Sequence, residues 1–393
     1  MDVRAQLPAT RASIGQNWRS MRKLPKDRMT ARQRIECTLQ GQLPDRVPIF
    51  DLIHHIPLIE YVTGEKLSLK NGLDLLCKTI GDRLDITRGI APPMEEAILR
   101  KEDGFVYQQE RWTTWLIQRP FSDVDGLLSY IPRNIAEIHN RQFGDMFTFA
   151  GKSNVWGVSS KSPSEQFLEL QEKVGENTVI FPNESPVGLD TMHVRAGLEL
   201  LSYAYAENPG LVSDWLEALT WAEIQRVHET ADPRLSPVAL VYSDMASTQQ
   251  LMFSPAFLRK EFFPRLVKLV DAWHQHGIKV IYHSDGNLWA VLNDFCKSGI
   301  DGINPLEPLS HMYAGDIHRA YPDWILMGGI DVSQLLPFGT QSEVRDAVRR
   351  TIDEAGISGR LWIGSTTEIH PAAKLENVLA MWDEIERWGY YDQ

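Results

Sequence analysis

The chain has 393 residues, 43% hydrophobic and 23% charged, a globular composition long enough for one large barrel or two domains. Its formal net charge of −12 argues against a surface built for nucleic acid or anionic lipid. The three cysteines, Cys37, Cys77 and Cys296, lack CxxC or HxC spacing, which disfavours a disulfide framework or a thiolate metal site.

Residues 1–28 are polar, basic and weakly periodic, and are expected to form an N-terminal arm ahead of a single domain spanning 29–393. The arm has no apolar core of a secretory signal, and no segment approaches the roughly 18 apolar residues of a membrane span, so a cytoplasmic location is expected. From Thr30 to Gln40 the pattern predicts a helix capped by Thr30 and ended by Gly41. Buried strands are then predicted at Val47–Asp51, Leu84–Gly89, Thr178–Asn183, Val238–Asp244, Lys279–Ser284, Ile300–Asn304, Ile325–Asp331 and Leu361–Ser365. Helical patterns follow most of them, most clearly at Phe257–Gln275 and Glu343–Ala355. Alternation of this kind predicts an α/β fold, a (β/α)8 TIM barrel. Between Gly104 and Ile117 a period-two pattern predicts a β-hairpin inserted between the second and third strands.

In such a barrel the strand ends converge on one face, and here they end in polar residues. Asp51, His54 and His55 follow the first strand, and Asp244 ends the fourth. His283 and Asp285 follow the fifth, Asn304 and Glu307 the sixth, Asp331 the seventh, and Thr367, Glu368 and His370 the eighth. His283 and Asp285 are two apart, so on an extended backbone both point to one side, a pairing suited to metal ligation or proton transfer. A strand-end histidine followed by an aspartate helix cap is the plainer reading of the same turn. His54 and His55 are consecutive, so at most one is expected to face a cavity. Trp112, Trp115, Trp156 and Trp289 are read either as core or as walls of an aromatic pocket.

Several segments, in order, carry a resemblance. Met29–Arg34 through Pro44–Pro48, Asp244 with Ser254-Pro255, His283–Asn287, Gly302–Leu306, Gly328–Asp331 and Leu375–Val378 together resemble uroporphyrinogen decarboxylase-type proteins. That resemblance implies a (β/α)8 barrel and one of two chemistries. One is cofactor-free decarboxylation; the other is zinc-dependent methyl transfer involving a corrinoid protein. The arginine-rich loop that holds the many carboxylates of a porphyrinogen is missing, for Phe50 is followed by Asp51-Leu52-Ile53-His54-His55-Ile56-Pro57. In the family's thiol-using methyltransferases a His-x-Cys and a further Cys hold zinc; here Asp285 and Thr367 stand at the cysteine positions, with Glu368 adjacent.

The resemblance therefore implies His283, Asp285 and Glu368 as zinc ligands in a hard, oxygen-rich site suited to polarising a substrate oxygen. Asp244, Glu307 and Asp331 are the candidate catalytic acids, and His54, His55, Asn304 and His370 the candidate substrate contacts. The expected function is demethylase-type methyl transfer from a small, methoxylated substrate to a corrinoid on a partner protein. The alternatives are a decarboxylase or lyase acting on a small carboxylic acid, and a barrel that only binds ligand.

Overall fold

The computed structural model describes residues 27–140, 163–175, 178–181 and 184–391. Eight parallel strand positions surround a common interior. The first two are β1 (Phe50–Asp51) and β2 (Ile86–Thr87). A three-stranded sheet follows, made of β3 (Ala97–Arg100), β4 (Val106–Gln109) and β5 (Thr114–Gln118). The third barrel position is shared by β6 (Val179–Ile180), which pairs with β2, and β7 (Glu184–Pro186), which pairs with the next strand. Five strands complete the set: β8 (Val238–Tyr242), β9 (Lys279–His283), β10 (Gly302–Leu306), β11 (Ile325–Ile330) and β12 (Leu361–Ser365). Neighbours run parallel from β7 to β12, and a parallel bridge between Ile49 and Ile363 joins the last strand to the first.

The predicted strands reappear with shifted ends. The β12 range coincides with its prediction, whereas β10 begins later and runs on to Leu306. The third differs most, because the predicted Thr178–Asn183 misses the continuation into Pro186; Asn183 itself lies outside the described residues. The inserted element is larger than a hairpin. Ala97–Arg100 pairs antiparallel with β4, which makes it a three-stranded meander. Its alternation is weak in Ala97–Arg100, which is half-buried to exposed and offers no apolar stripe to read.

One apolar cluster fills the barrel, with Phe50, Ile86, Val179, Val238, Leu240, Ile281, Ile325, Met327 and Trp362 drawn from successive strands. Space is tight at Gly302, where a Cβ would lie 2.6 Å from Ile281 Cδ1 and 2.7 Å from Ile325 Cβ. Glycine there lets two neighbouring strands fill the interior with branched side chains. The predicted N-terminal helix forms as Ala31–Leu39, with Thr30 and Gln33 making a reciprocal capping box. It closes the barrel's N-terminal end: Ile35 joins the interior cluster, and Trp362 Nε1 donates to Thr38 Oγ1 at 2.7 Å.

Beside this helix lies a buried ion network. Arg34 contacts Asp45 at 2.7 Å and Asp85 at 2.5 Å, Arg46 contacts Asp85 at 2.6 Å, and Asp85 also accepts the Ile49 N–H at 2.8 Å. Burial pushes the Asp45 carboxyl up, but the hydrogen bond and charge of Arg34 hold it down at about 2. The network ties the segment before β1 to the start of β2. The helices Gln341–Ala355 and Phe263–Gln275 pack outside the strands, the latter continuing from a π-helical turn, Leu258–Phe262, that the sequence pattern did not reveal. Among the described residues no helix is long and apolar enough to cross a membrane.

Candidate active site at the barrel mouth

The sheet register brings the site together. Tyr242 of β8 pairs with His283 of β9, and His283 pairs with Asn304 of β10, so the last residues of β8 and β9 and the middle of β10 stand at one level. His283 is buried, with its Nδ1 2.6 Å from Asn304 Oδ1. Asn304 donates its own amide to the Met327 carbonyl at 3.2 Å, which turns its Oδ1 toward the imidazole. Nδ1 therefore carries the proton, and Nε2 presents its lone pair to the mouth.

Around that nitrogen stand two carboxylates and one guanidinium. Asp244, Asp285 and His283 each offer a ligand atom, and these atoms all lie within 4.8 Å of one another. His283 Nε2 is 3.7 Å from Asp244 Oδ1, and the Asp285 N–H donates to the same oxygen at 3.2 Å. Arg88, just past β2, donates to His283 Nε2 at 3.2 Å. Burial raises the Asp285 carboxyl to about 6; His283 and Arg88 pull it down, while Asp244 and Glu307 push it up. Its Oδ1 is shielded from solvent and meets no hydrogen-bond donor among the described residues.

The turn carrying Asp285 is pinned on both sides. Gly286 has φ +91°, and a Cβ on it would lie 2.6 Å from the Ala246 carbonyl carbon and the Ser247 oxygen. Its N–H donates to Glu307 Oε2 at 2.8 Å, an oxygen that also accepts from Ser310 Oγ at 2.8 Å.

The residues fit a divalent cation. An imidazole with Nε2 turned to the mouth and two carboxylates, one with an orphaned buried oxygen, form a donor set in which two carboxylates face a single guanidinium, Arg88. The set differs in one member from that expected from sequence, for Asp244 rather than Glu368 completes the group. Glu368 lines the adjoining cavity instead, a space of about 1040 Å³ between the barrel mouth and the meander.

The other predicted residues divide between cavity and scaffold. His54 lines the cavity and stacks on Trp112 with ring centroids 5.2 Å apart, and His370 also lines it. His55 is turned away, accepting from Leu58 N at 3.0 Å and bonding the Ala373 carbonyl at 2.8 Å, so it caps the helix Ile56–Thr63. Asp331 accepts the N–H groups of Gln334 and Leu335 at 2.8 and 2.7 Å and starts a helix rather than facing the cation site. Asn304 orients His283, and Glu307 holds the Gly286 turn. Trp112 and Trp115 line the cavity; Trp289 donates to the His311 carbonyl, and Trp156 lies outside the described residues.

Sequence reasoning missed Arg88 and Asp190. Both line the cavity, and Arg88 stands inside the predicted strand Leu84–Gly89, where it carries no ligand spacing. A buried carboxyl at the end of β1, Asp51, accepts from Ser365 Oγ at 2.5 Å. Burial raises it to about 7, against the pull of the Ser365 hydrogen bonds.

Comparison with known proteins supports the reading of the scaffold. No curated protein sequence matches the chain. Among solved structures it is similar to a methyltransferase from Methanosarcina mazei, with TM-score 0.64 and 16% sequence identity over 91% of this chain and 99% of that one. At that identity the likeness speaks for the fold. The family model described as uroporphyrinogen decarboxylase (URO-D) matches residues 169–388, which take in the strands from β6 to β12 and the turn at His283. That match covers more than half of the sequence, and the chain belongs to the uroporphyrinogen decarboxylase family.

Proposed function

We propose that the protein is a metal-assisted methyltransferase of the demethylase type. It moves a methyl group from a small substrate, methylated on oxygen, to a corrinoid carried by a separate protein. The observation that carries this reading is the group Asp244, His283 and Asp285, with its two carboxylates and the orphaned Asp285 oxygen. Asp285 stands where the family's thiol-using members have a cysteine, and Asp244 adds a second oxygen donor; such a site is harder, better matched to an ether or hydroxyl oxygen than to a thiolate. The name of the structural neighbour, a methyltransferase, agrees with this choice of chemistry.

Zinc held by these three residues would supply Lewis acidity toward the oxygen that bears the methyl group. The protein's own groups do the rest. Asn304 fixes the His283 tautomer, and Glu307 holds the turn that aims Asp285. In this reading Glu368, which lines the cavity outside the triad, returns a proton to the departing oxygen. The meander and the barrel rim line the cavity in which the substrate would sit.

Metal analysis and a turnover assay test this together. The purified protein is expected to hold about one zinc per chain, lost in His283→Ala, and to methylate reduced cobalamin from one of a panel of methoxylated compounds. Metal-replete protein without zinc would remove the Lewis-acid step. A second reading is favoured by Asp285, which stands beside His283 with its carboxyl raised by burial to about 6. In that reading it protonates a carbanion left by decarboxylation of a small carboxylic acid, and carbon dioxide release without cobalamin methylation would select it.

A further inference from the structure

The cavity above the cation site has its own chemical bias. Its walls carry five carboxylates, Glu96, Glu110, Asp190, Asp244 and Glu368, against two arginines, Arg88 and Arg111. Arg88 is committed inward, donating to His283 and drawn to Asp285. Asp190 bonds His193 at 3.0 Å. The rings of Trp112, Trp115 and Tyr242 share the same walls.

Acids and aromatics are distributed over both sides. The meander segment supplies Glu96, Glu110, Trp112 and Trp115, and the barrel rim supplies Tyr242, Asp244 and Glu368. Trp115 is 56% exposed although it is one of the largest apolar side chains. Trp112 is only 8% exposed, and its indole N–H meets no acceptor among the described residues.

We propose that this cavity selects substrates carrying a quaternary or tertiary ammonium group together with an oxygen acceptor. A methylated ammonium spreads its positive charge over a greasy surface, which ring faces and carboxylates both attract. The same walls repel an anion and give a neutral molecule apolar contact alone. The ammonium lies under the meander, between Trp115 and Glu110 on one side and the barrel rim on the other, with the oxygen end toward the cation site. The inference rests on the methyl-transfer reading only in calling this ligand a substrate; the binding preference stands apart from it.

Calorimetry on the full chain tests the preference with three probes of matched shape: 3-hydroxyphenyltrimethylammonium, its neutral isostere 3-tert-butylphenol, and anionic 3-hydroxybenzoate. The ammonium is expected to bind at least tenfold more tightly than the isostere, and the benzoate more weakly than both. Trp115→Ala is expected to weaken ammonium binding at least fivefold, and Glu110→Gln about threefold, with unchanged circular dichroism. Equal affinity for ammonium and isostere would overturn the proposal, as would tighter benzoate binding or a Trp115→Ala variant with undiminished affinity. Zinc content is read in the same samples. Protein that holds no zinc yet prefers the ammonium keeps this inference and loses the methyl-transfer reading.

Discussion

Asn304 accepts the Nδ1 proton of His283 at 2.6 Å while its own amide is anchored to the Met327 carbonyl. The pair decides which imidazole nitrogen faces Asp244 and Asp285. Outer partners of this kind are worth about 10- to 100-fold in metal affinity. Asn304→Ala is therefore expected to weaken zinc binding by roughly tenfold or more, read by competition with a chromogenic chelator. Unchanged affinity would show that His283 needs no tautomer control.

Gly286→Ala tests the turn. Its φ of +91° and the 2.6 Å approach to the Ala246 and Ser247 backbone leave no room for a methyl group. Strain of this kind costs about 1–2 kcal/mol before any clash is counted. Urea unfolding should show at least that loss, and zinc content should fall with it because Asp285 is displaced.

Glu307 separates charge from hydrogen bonding. One of its oxygens accepts from both Gly286 and Ser310. Glu307→Gln keeps an acceptor and is expected to retain zinc and most activity. Glu307→Ala leaves two donors unmatched and should cost about 1–3 kcal/mol in urea unfolding. If the glutamine variant is as inactive as alanine, the carboxylate itself takes part in the chemistry.

Asp51 sets a pH dependence. Its carboxyl is raised by burial to about 7, above the ordinary 3.8. Between these values the folded chain holds a proton that the unfolded chain releases, so stability falls as pH rises through the window. Asp51→Asn keeps an acceptor for Ser365 and removes the titration. Wild type should lose about 3–4 kcal/mol between pH 4 and 7.5 that the variant does not lose, measured as the difference between their urea-unfolding profiles.

Arg34→Ala strips the buried Asp45 of its guanidinium partner and leaves Asp85 to Arg46 alone, at the other end of the barrel. Breaking a buried network from one side costs about 3–5 kcal/mol. The variant is expected to unfold at markedly lower urea while any molecules still folded keep their zinc.

Much of the scaffold was legible because parallel strands buried on both faces appear as short apolar runs, and Val238–Tyr242 and Leu361–Ser365 read that way. The third position was not, because Glu184-Ser185-Pro186 has no apolar run and contains proline. At the site, His283 and Asp285 stood out through their spacing after a strand. Asp244 against Glu368 could not be decided, since which rim carboxylate reaches the imidazole depends on barrel curvature rather than on order along the chain. Arg88 was hidden for another reason: an arginine beside a ligand histidine has no characteristic spacing.

The alignment of Tyr242, His283 and Asn304 at one level has a consequence for folding itself. A slip of one residue between β8, β9 and β10 would turn the imidazole from mouth to wall and separate it from Asn304. No fragment of the chain short of these three neighbouring strands holds both the ligands and the Asn304 that orients His283, and a collapsed intermediate with strands misaligned lacks that arrangement. Cation capture during refolding is thus a clock for the moment when β8, β9 and β10 come into register, independent of any change in helix content.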